Sequence, residues 1–584
     1  MGWRFLVLAL SLVLVFSAFL LSGVYAQGNV YHVAVNGDDS NPGTEDKPWR
    51  TVSYAVTKLK PGDTLIIHEG TYKEVVVLKV SGAEGAPITI TGAPGEKVVL
   101  DFQGVHSNCF VFSRGVSHVN LENLTLTNCG IWAVSLDGEN EHIYLRNLEV
   151  ANSETGIHMT VGESGKKPWY GPVSQVTIEN CLIHDNWVAG IDCTPGPCYA
   201  LYIRYSKVCN NGVSTGFGAD GIGVETGNYI FIEWSEVYGN KGDGIDLCSR
   251  NPIWFDESSK VVVNGCLVHD NGLEGVKLWT GGVVENTLIY SNGFTGLDFI
   301  YNGKYRVVNT AVVKNAVEIR SYSVCIGYEE MEALGKQDNL EVEIYNSIMA
   351  FNGPPDAPVG IYVGPGVKLT SDYNIWYSRS DSEIYLESTA TDYTQADITS
   401  GKWTSDTGNG AHSIVAGPLF VDLENDDYRL QSGSPAIDAA DPENSPSLDI
   451  LGAPRPRGEG YDIGPYEYGA QAPPKPPSTQ PVQSPPSPPQ QPQPIQNETQ
   501  PTSEQPSQQP SQPPSPPQPI PQQSPPQPLP QPTPSEKDER EGVLGGLWLV
   551  LIGVAALTIV NLIVLIIVLK RKRLPPPPPP PPSP

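Results

Sequence analysis

The chain has 584 residues, including 56 Pro and 58 Gly, and its formal net charge is −28 at pH 7. A protein that binds nucleic acid carries a basic face, so this charge argues against DNA or RNA as a partner. It also argues against a polyanionic ligand, unless a metal ion reverses the local charge.

The first residues have the pattern of an export signal. Arg4 precedes an apolar run from Phe5 to Leu21, and Val24-Tyr25-Ala26 supplies small residues at the expected cleavage positions. We therefore expect residues 1–26 to be a signal peptide and exclude them from reasoning about the fold.

The last part of the chain is predicted to anchor the protein. Residues 471–535 are rich in Pro, Gln and Ser, a composition typical of a disordered, semi-rigid linker. Residues 542–569 are almost continuously apolar and long enough to cross a hydrocarbon layer of ~30 Å. Residues 570–584 are basic and then poly-Pro, which indicates a cytoplasmic tail. We expect a single-pass protein of the cell membrane with its N-terminal ectodomain outside the cell.

The expected ectodomain is too long for one ordinary compact core, which favours an elongated repeat or several domains. We predict an N-terminal cap and first coils at residues 28–105. A central repeat with the functional site follows at 106–378, and C-terminal coils with a capping segment at 379–470.

A recurring unit predicts the fold. It consists of a β-branched run, a polar turn with Asn, and a glycine followed by an apolar residue, as in residues 176–191, 261–276 and 283–297. Short strands repeated without helices indicate a solenoid, and the units lack the leucine spacing of leucine-rich repeats and the length of propeller blades. We predict an all-β protein with a right-handed parallel β-helix, in which each coil is stabilised by its neighbours.

Alternation of side chains along a strand then predicts which residues face outward. The apolar residues after the glycines should point inward: Ile191, Ile222, Ile245, Val276 and Leu297. The next residues should form an outward column: Asp192, Gly223, Asp246, Lys277 and Asp298. The residues before the glycines form a second column: Ala189, Asp220, Asp243, Glu274 and Thr295.

Two interpretations of these columns remain open. Charged outer columns are often simply solvated, but carboxylates stacked at ~4.8 Å repel one another unless something neutralises them. Asp220, Asp243 and Asp246 are therefore candidate ligands of one cation, with Lys277 one coil further on. Oxygen ligands favour Ca²⁺ over zinc or copper.

Histidines and cysteines have simpler interpretations. His184 and His269 fall outside the two columns, and we interpret them as turn residues rather than metal ligands. The nine cysteines include Cys181 and Cys266, which recur in register and are predicted to be buried. Cys193 and Cys198 flank a turn that a disulfide is able to close, as expected outside the cell.

The order Ala219-Asp220-Gly221, Asp243-Gly244-Ile245-Asp246-Leu247 and Gly275-Val276-Lys277-Leu278 resembles polysaccharide lyase family 9, which is pectate lyase-like. The resemblance implies that Asp220, Asp243 and Asp246 bind calcium and that Lys277 is the catalytic base. The family's doubled acid is interrupted here by Gly242, so that Glu274 or water would have to complete the site. Weaker resemblances flank the repeat: residues 31–63 are similar to the opening segment of secreted β-helix proteins, and residues 434–468 to a closing segment.

The expected function is therefore calcium-assisted β-elimination on an acidic, uronate-containing polysaccharide by a monomeric enzyme. A polygalacturonase-type hydrolase needs paired acids and family motifs that we do not find. A C5 epimerase would use similar groups. A non-catalytic cell-surface module, binding glycans or building a surface layer, is the alternative outside enzymology.

Overall fold

The computed structural model describes residues 28–103, 107–159, 171–194, 196–212, 219–247, 260–315, 322–327, 339–353, 360–378 and 382–471. The predictions of a signal peptide, a membrane-spanning segment and a cytoplasmic tail, and most of the predicted linker, fall on residues outside these ranges. Within them, no helix is both long and apolar enough to span a membrane.

The described residues form a parallel β-helix with three sheets of 13 strands each, which confirms the predicted fold class. Each coil contributes one short strand to each sheet, in the order sheet 1, sheet 2, sheet 3. Sheet 1 contains β1 Val30–Val33, β2 Thr64–Ile67, β5 Ile88–Gly92, β8 Ser117–Glu122, β11 Glu141–Arg146, β14 Val173–Glu179, β17 Cys198–Arg204, β20 Gly227–Glu233, β23 Val261–Asn264, β26 Gly282–Glu285, β29 Gly303–Val308, β32 Leu340–Tyr345 and β35 Lys368–Asp372.

Sheet 2 contains β3 Gly70–Tyr72, β6 Val98–Asp101, β9 Thr125–Thr127, β12 Glu149–Ala151, β15 Leu182–His184, β18 Lys207–Cys209, β21 Glu236–Tyr238, β24 Leu267–His269, β27 Leu288–Tyr290, β30 Ala311–Val313, β33 Ile348–Ala350, β36 Ile375–Tyr377 and β39 Ile414–Val415. Sheet 3 contains β4 Val76–Leu78, β7 Phe110–Phe112, β10 Trp132–Leu136, β13 Thr155–Met159, β16 Ala189–Cys193, β19 Ile222–Val224, β22 Ile245–Leu247, β25 Val276–Leu278, β28 Leu297–Phe299, β31 Val324–Ile326, β34 Ile361–Val363, β37 Ser382–Leu386 and β38 Thr391–Thr394. Of these strands, β38 alone pairs antiparallel, with β37.

Short helices and a hairpin complete the described elements. They are α1 Val52–Ala55, α2 Gln395–Thr399, α3 Lys402–Thr407, two 3₁₀ turns at Glu387–Thr389 and Pro442–Asn444, and the antiparallel strands β40 Phe420–Asp422 and β41 Asp427–Leu430. The segment that carries β40 and β41 packs apolar side chains across the last coils of sheet 2, including Tyr428 against Tyr290.

A ladder of buried asparagines runs between sheets 2 and 3. Each side-chain amide donates a hydrogen bond of 2.9–3.3 Å to the Oδ1 of the next member: Asn186, Asn211, Asn240, Asn271, Asn292, Asn315 and Asn352. Because a buried amide without partners is costly, the ladder fixes the register from coil to coil.

The ladder also explains the repeating glycines. A Cβ on Gly221 would lie 2.6 Å from Nδ2 of Asn240, and one on Gly244 would lie 2.6 Å from Nδ2 of Asn271. Only glycine therefore fits between the ladder and the next strand of sheet 3. The regular spacing that predicted the solenoid is a consequence of this close approach.

Cysteine predictions are confirmed, and the histidine interpretation is wrong. Cys181 and Cys266 are buried free thiols, and Cys193 is disulfide-bonded to Cys198. His184 and His269 are not turn residues: each is the last residue of a sheet 2 strand, where β pairing places them in one outward column.

Candidate functional site

The outer face of sheet 3 carries the predicted column. Parallel pairing places Asp192, Gly223, Asp246, Lys277 and Asp298 at equivalent positions of five successive strands. The apolar residues that precede them are fully buried, so the predicted alternation is confirmed for every coil of this stretch. Four ionisable side chains and one gap therefore share a line along the helix axis.

A second line of carboxylates lies where the chain enters sheet 3. Asp220 Oδ1 accepts a hydrogen bond of 2.9 Å from the backbone amide of Asp243, and Asp243 Oδ1 accepts one of 3.0 Å from the amide of Glu274. Each acid is thus oriented by the backbone of the following coil. Asp220, Asp243 and Glu274 are brought together as the sequence predicted.

The amine of Lys277 lies among these acids. Its Nζ is 3.3 Å from Oδ2 of Asp243 and 5.7 Å from the ring centroid of Trp279. Trp279 in turn donates from Nε1 to Oδ1 of Asp246 at 2.9 Å. The Trp279 side chain therefore contacts both Lys277 and, on the preceding coil, Asp246.

The site holds more negative charge than one lysine neutralises. Burial and the charges of Asp243 and Asp246 raise the pKa of Asp220 to about 8. Burial, a hydrogen bond to Asp243 and its charge raise the pKa of Glu274 to about 10. Burial by itself would lower the pKa of Lys277, but the surrounding carboxylates outweigh it and raise the pKa above its ordinary value. The lysine is therefore held protonated as long as nothing else balances these acids.

Two glycines shape the space beside the acids. A Cβ on Gly242, where the resemblance expects an acid, would lie 2.4 Å from Oδ1 of Asp220, so this backbone has no room for a side chain there. A Cβ on Gly223 would lie 3.6 Å from Oδ2 of Asp220 and 4.0 Å from Oδ1 of Asp192. The missing side chain of Gly223 leaves a space bordered by carboxylate oxygens.

The donor chemistry fits a hard cation, and the placement of the side chains fits it less well. The ionisable groups beside the Gly223 space are carboxylates, which are the ligands that Ca²⁺ prefers. Among the described residues, however, no group of three or more His, Cys, Asp or Glu side chains is placed to hold a metal ion. Calcium binding would therefore require side-chain rotation within this cluster.

Sequence reasoning placed Asp192 and Asp298 in the column without giving them a role, and it missed His158. Asp192 Oδ2 lies 2.9 Å from Nδ1 of His158, whose ring stacks on Trp132 with centroids 3.7 Å apart. Asp298 is buried, its pKa is raised to about 7 mainly by burial, and its Oδ1 accepts no hydrogen bond from the described residues. His158 had a usable signal, since Gly156-Ile157-His158 repeats the glycine–apolar–outward pattern one coil earlier.

Residues 31–318 match a family described as "Pel9A-like, right handed beta helix region". This part of the chain is a Pel9A-like right-handed β-helix. The chain is also distantly homologous to pectate lyases, which confirms the predicted resemblance.

Similar proteins cover different shares of the chain. Uncharacterized protein YwoF of Bacillus subtilis is 24% identical over 485 residues, covering 74% of this chain and 98% of YwoF. Pectate lyase L of Dickeya dadantii is 24% identical over 333 residues, covering 52% of this chain and 68% of the lyase. The crystal structure of pectate lyase Pel9A superposes with a TM-score of 0.45 and 16% identity, covering 77% of this chain and 98% of that chain.

Proposed function

We propose that the chain is an extracellular polysaccharide lyase that cleaves a uronate-containing polymer by β-elimination, with Lys277 as the base. The observation that carries the proposal is the position of the Lys277 amine, which lies 3.3 Å from Asp243 on the outer face of sheet 3, among stacked carboxylates. The relatives named pectate lyases support the same reaction class.

The residues that would hold calcium are Asp220, Asp243, Asp246 and Glu274, with Asp192 added because its Oδ1 borders the Gly223 space. In this proposal Asp192 would take the place of the acid that Gly242 does not provide. Bound calcium would bind the uronate carboxylate and acidify the proton on C5 of that sugar. The backbone bonds to Asp220 and Asp243 keep one oxygen of each acid oriented, as outer partners do at metal sites.

Lys277 removes the proton. Neutral Nζ takes the C5 proton, the C4–O bond to the leaving sugar breaks, a C4–C5 double bond forms, and the leaving oxygen takes a proton from solvent. The amine must first be neutral, and the acids around it oppose this. We therefore expect activity to rise toward alkaline pH and to require that the charge of these acids be balanced.

Location outside the cell belongs to the same proposal. The apolar segment at residues 542–569 would anchor the protein in the cell membrane, with the β-helix outside and residues 570–584 in the cytoplasm. The disulfides Cys109–Cys129 and Cys193–Cys198 support an oxidising compartment.

A second candidate is a surface module that binds an acidic glycan without cleaving it. It is favoured by Gly242, which removes an acid expected from the resemblance, and by the ion pair that occupies Lys277. An epimerase acting at C5 would share the base and differ in its product.

The deciding experiment is turnover of polygalacturonate, followed by the ultraviolet absorbance of unsaturated uronate products. We expect release with calcium, loss of release in EDTA, and a rate at least about 10²-fold lower in Lys277→Ala. Lys207→Ala is the matched control, since Lys207 is an exposed lysine that pairs with Glu236 on sheet 2. Equal release by Lys277→Ala and wild type would remove the base assignment. Calcium-dependent binding without release would select the surface module, and C5 inversion without chain cleavage the epimerase.

A further inference from the structure

A cluster of aromatic side chains lies on and beside the outer face of sheet 1, away from the acids of sheet 3. It spans two neighbouring strands, β17 and β20, and the turn residues next to them. We call it the aromatic face, and it consists of Tyr199, Tyr202, Tyr205, Tyr229, Phe231 and Trp234. Tyr202 and Phe231 occupy equivalent positions, and their rings stack with centroids 5.2 Å apart and planes 9° apart.

Several of these rings are too exposed to serve the core. Tyr205 is 57% exposed and Tyr229 is 39% exposed, while the apolar residues on the inner side of the same strands are almost fully buried. Large apolar groups that cluster on a surface commonly mark a binding site, whereas single exposed ones do not. Here two exposed rings, Tyr205 and Tyr229, and four partly buried ones lie on two adjacent coils.

The backbone at three of these positions, Tyr205, Tyr229 and Trp234, has a positive φ and disfavours an aromatic residue. From β8 to β35, the residue that follows each sheet 1 strand adopts a left-handed conformation, and asparagine fills six of these ten positions: Asn123, Asn147, Asn180, Asn286, Asn309 and Asn346. In consecutive coils the position is held instead by Tyr205 at φ 50° and Trp234 at φ 52°. Left-handed backbone favours Gly and Asn, so an aromatic side chain here is tolerated at a cost to stability.

The next coil accommodates the Trp234 ring. A Cβ on Gly265 would lie 2.6 Å from Cε3 of Trp234, so the indole lies directly over a residue without a side chain. Glycine at this position leaves the room that the indole occupies.

The charges among the rings are already paired. Arg204 donates to Glu233 at 2.7 Å and lies over the Tyr202 ring at 4.8 Å, and Arg146 donates to Glu179 at 3.2 Å. The core of a protein interface is depleted of charge, and the Arg204–Glu233 pair lies on the two strands that carry the rings, which argues against a protein partner. Flat rings bordered by paired polar groups fit a sugar polymer, which offers CH faces and hydroxyl edges.

We propose that the aromatic face binds a polysaccharide chain by stacking its pyranose rings on Tyr205, Tyr229 and their neighbours. Recognition is through ring faces and not through charge, so binding is independent of calcium and only weakly sensitive to salt. Strands β17 and β20 follow directly on the sheet 3 strands β16 and β19 of the site. The aromatic face would therefore be a second binding surface for the polymer, separate from the acids of sheet 3. This binding role goes beyond the proposed lyase reaction.

The test is affinity electrophoresis of the purified full chain in EDTA, in gels that contain methyl-esterified polygalacturonate, polygalacturonate, xylan or galactan. We expect retardation by at least one polymer and a roughly fivefold weaker affinity in Tyr205→Asn, with a further loss in Tyr205→Asn/Tyr229→Asn. Asparagine suits the left-handed backbone, so both variants should melt no lower than the wild type.

The matched control is Tyr373→Asn, because Tyr373 occupies the same turn position six coils away, at φ 55°, and stacks on His412. This variant should be retarded like the wild type. Absence of retardation by all four polymers, or equal retardation of Tyr205→Asn, would overturn the proposal. So would a Tyr205→Asn variant whose sedimentation changes while its retardation does not, since the face would then contact protein. Because calcium is absent, none of these outcomes depends on the lyase proposal.

Discussion

Two regions of the described chain bury charged side chains, and they differ in how those charges are hydrogen-bonded. In the C-terminal region the buried acids Asp449 and Asp462 accept hydrogen bonds from the backbone amides of Glu467 and Tyr468. In the C-terminal segment, the side chains of Arg455 and Glu467 have no exposed surface and form an ion pair of 2.8 Å. Arg455 also donates to Asn286 Oδ1 and to the carbonyl of Gly464, and Glu467 accepts from the amide of Arg457. On sheet 3, by contrast, several acids share one lysine. Removing one partner from the hydrogen-bonded C-terminal network is costly, whereas the mutually repelling acids of sheet 3 are costly as they stand unless a ligand neutralises them.

Breaking the buried Arg455–Glu467 pair should have the largest effect on stability. We expect Arg455→Met to lower the free energy of unfolding by about 3–5 kcal/mol, because Glu467 is left as an unpaired buried charge. The measurement is urea unfolding followed by tryptophan fluorescence. The double variant Arg455→Met/Glu467→Leu should recover part of the loss, since no charge then remains unpaired.

The control for that experiment is Arg429→Met, which removes an exposed arginine paired with Asp427. Exposed pairs contribute about 0–1 kcal/mol, so this variant should unfold near the wild-type midpoint. Equal losses for Arg455→Met and Arg429→Met would show that burial of the Arg455 pair is not what makes it matter.

The acids of sheet 3 should respond in the opposite way to loss of a charge. Glu274 is buried beside Asp243, so Glu274→Gln is expected to leave the melting temperature in EDTA unchanged or slightly raised. With calcium, the wild type should be stabilised, by about 2.7 kcal/mol at a hundredfold excess over the Kd, and the variant by less.

Differential scanning calorimetry with and without calcium measures both effects. The conservative control is Glu141→Gln, an exposed acid of sheet 1, which should keep the full calcium response. A wild-type melting temperature that calcium does not change would contradict calcium binding at this site, whatever the activity of the enzyme.

The two regions also differ in how much of their structure could be predicted from the sequence. The glycine spacing predicted the solenoid because each glycine is required by the asparagine ladder one coil away, so the constraint repeats along the chain. The same periodicity placed Asp220, Asp243, Asp246 and Lys277 on one side of sheet 3. Their roles remain predictions, because the register of a strand does not determine where its side-chain oxygens converge.

Contacts that do not repeat from coil to coil could not be predicted from the sequence. Arg455 meets Asn286, 169 positions earlier in the chain, and the segment containing β40 and β41 packs on sheet 2. No local pattern encodes either pairing. The disulfide between Cys109 and Cys129 was likewise not predicted, although both cysteines lie in the early coils. The sequence offered Trp234, with Trp187 and Trp279, only as single aromatics near turns that either stack on sugar rings or pack. The aromatic face as a unit was not predicted, because Tyr205 and Trp234 interrupt a column of asparagines instead of forming a motif of their own.

A third group of charged side chains, on sheet 2, is only partly buried. Changing it should have the smallest effect on stability of the changes considered. On sheet 2, a hydrogen bond from His269 and the nearby Lys207 lower the pKa of Glu236 to about 2, and Glu236 and Asp270 raise the pKa of His269 against the opposing effect of burial. The lowered pKa of Glu236 means that its stabilisation is present above about pH 4.5 and is lost as the pH falls toward 2. The raised pKa of His269 means that its stabilisation is complete below about pH 6.5 and is lost as the pH rises through the higher folded value.

Glu236→Gln should therefore flatten both flanks of the melting temperature plotted against pH, whereas Glu141→Gln should not. Parallel curves for Glu236→Gln and the wild type would show that this pair does not contribute to the pH dependence of stability.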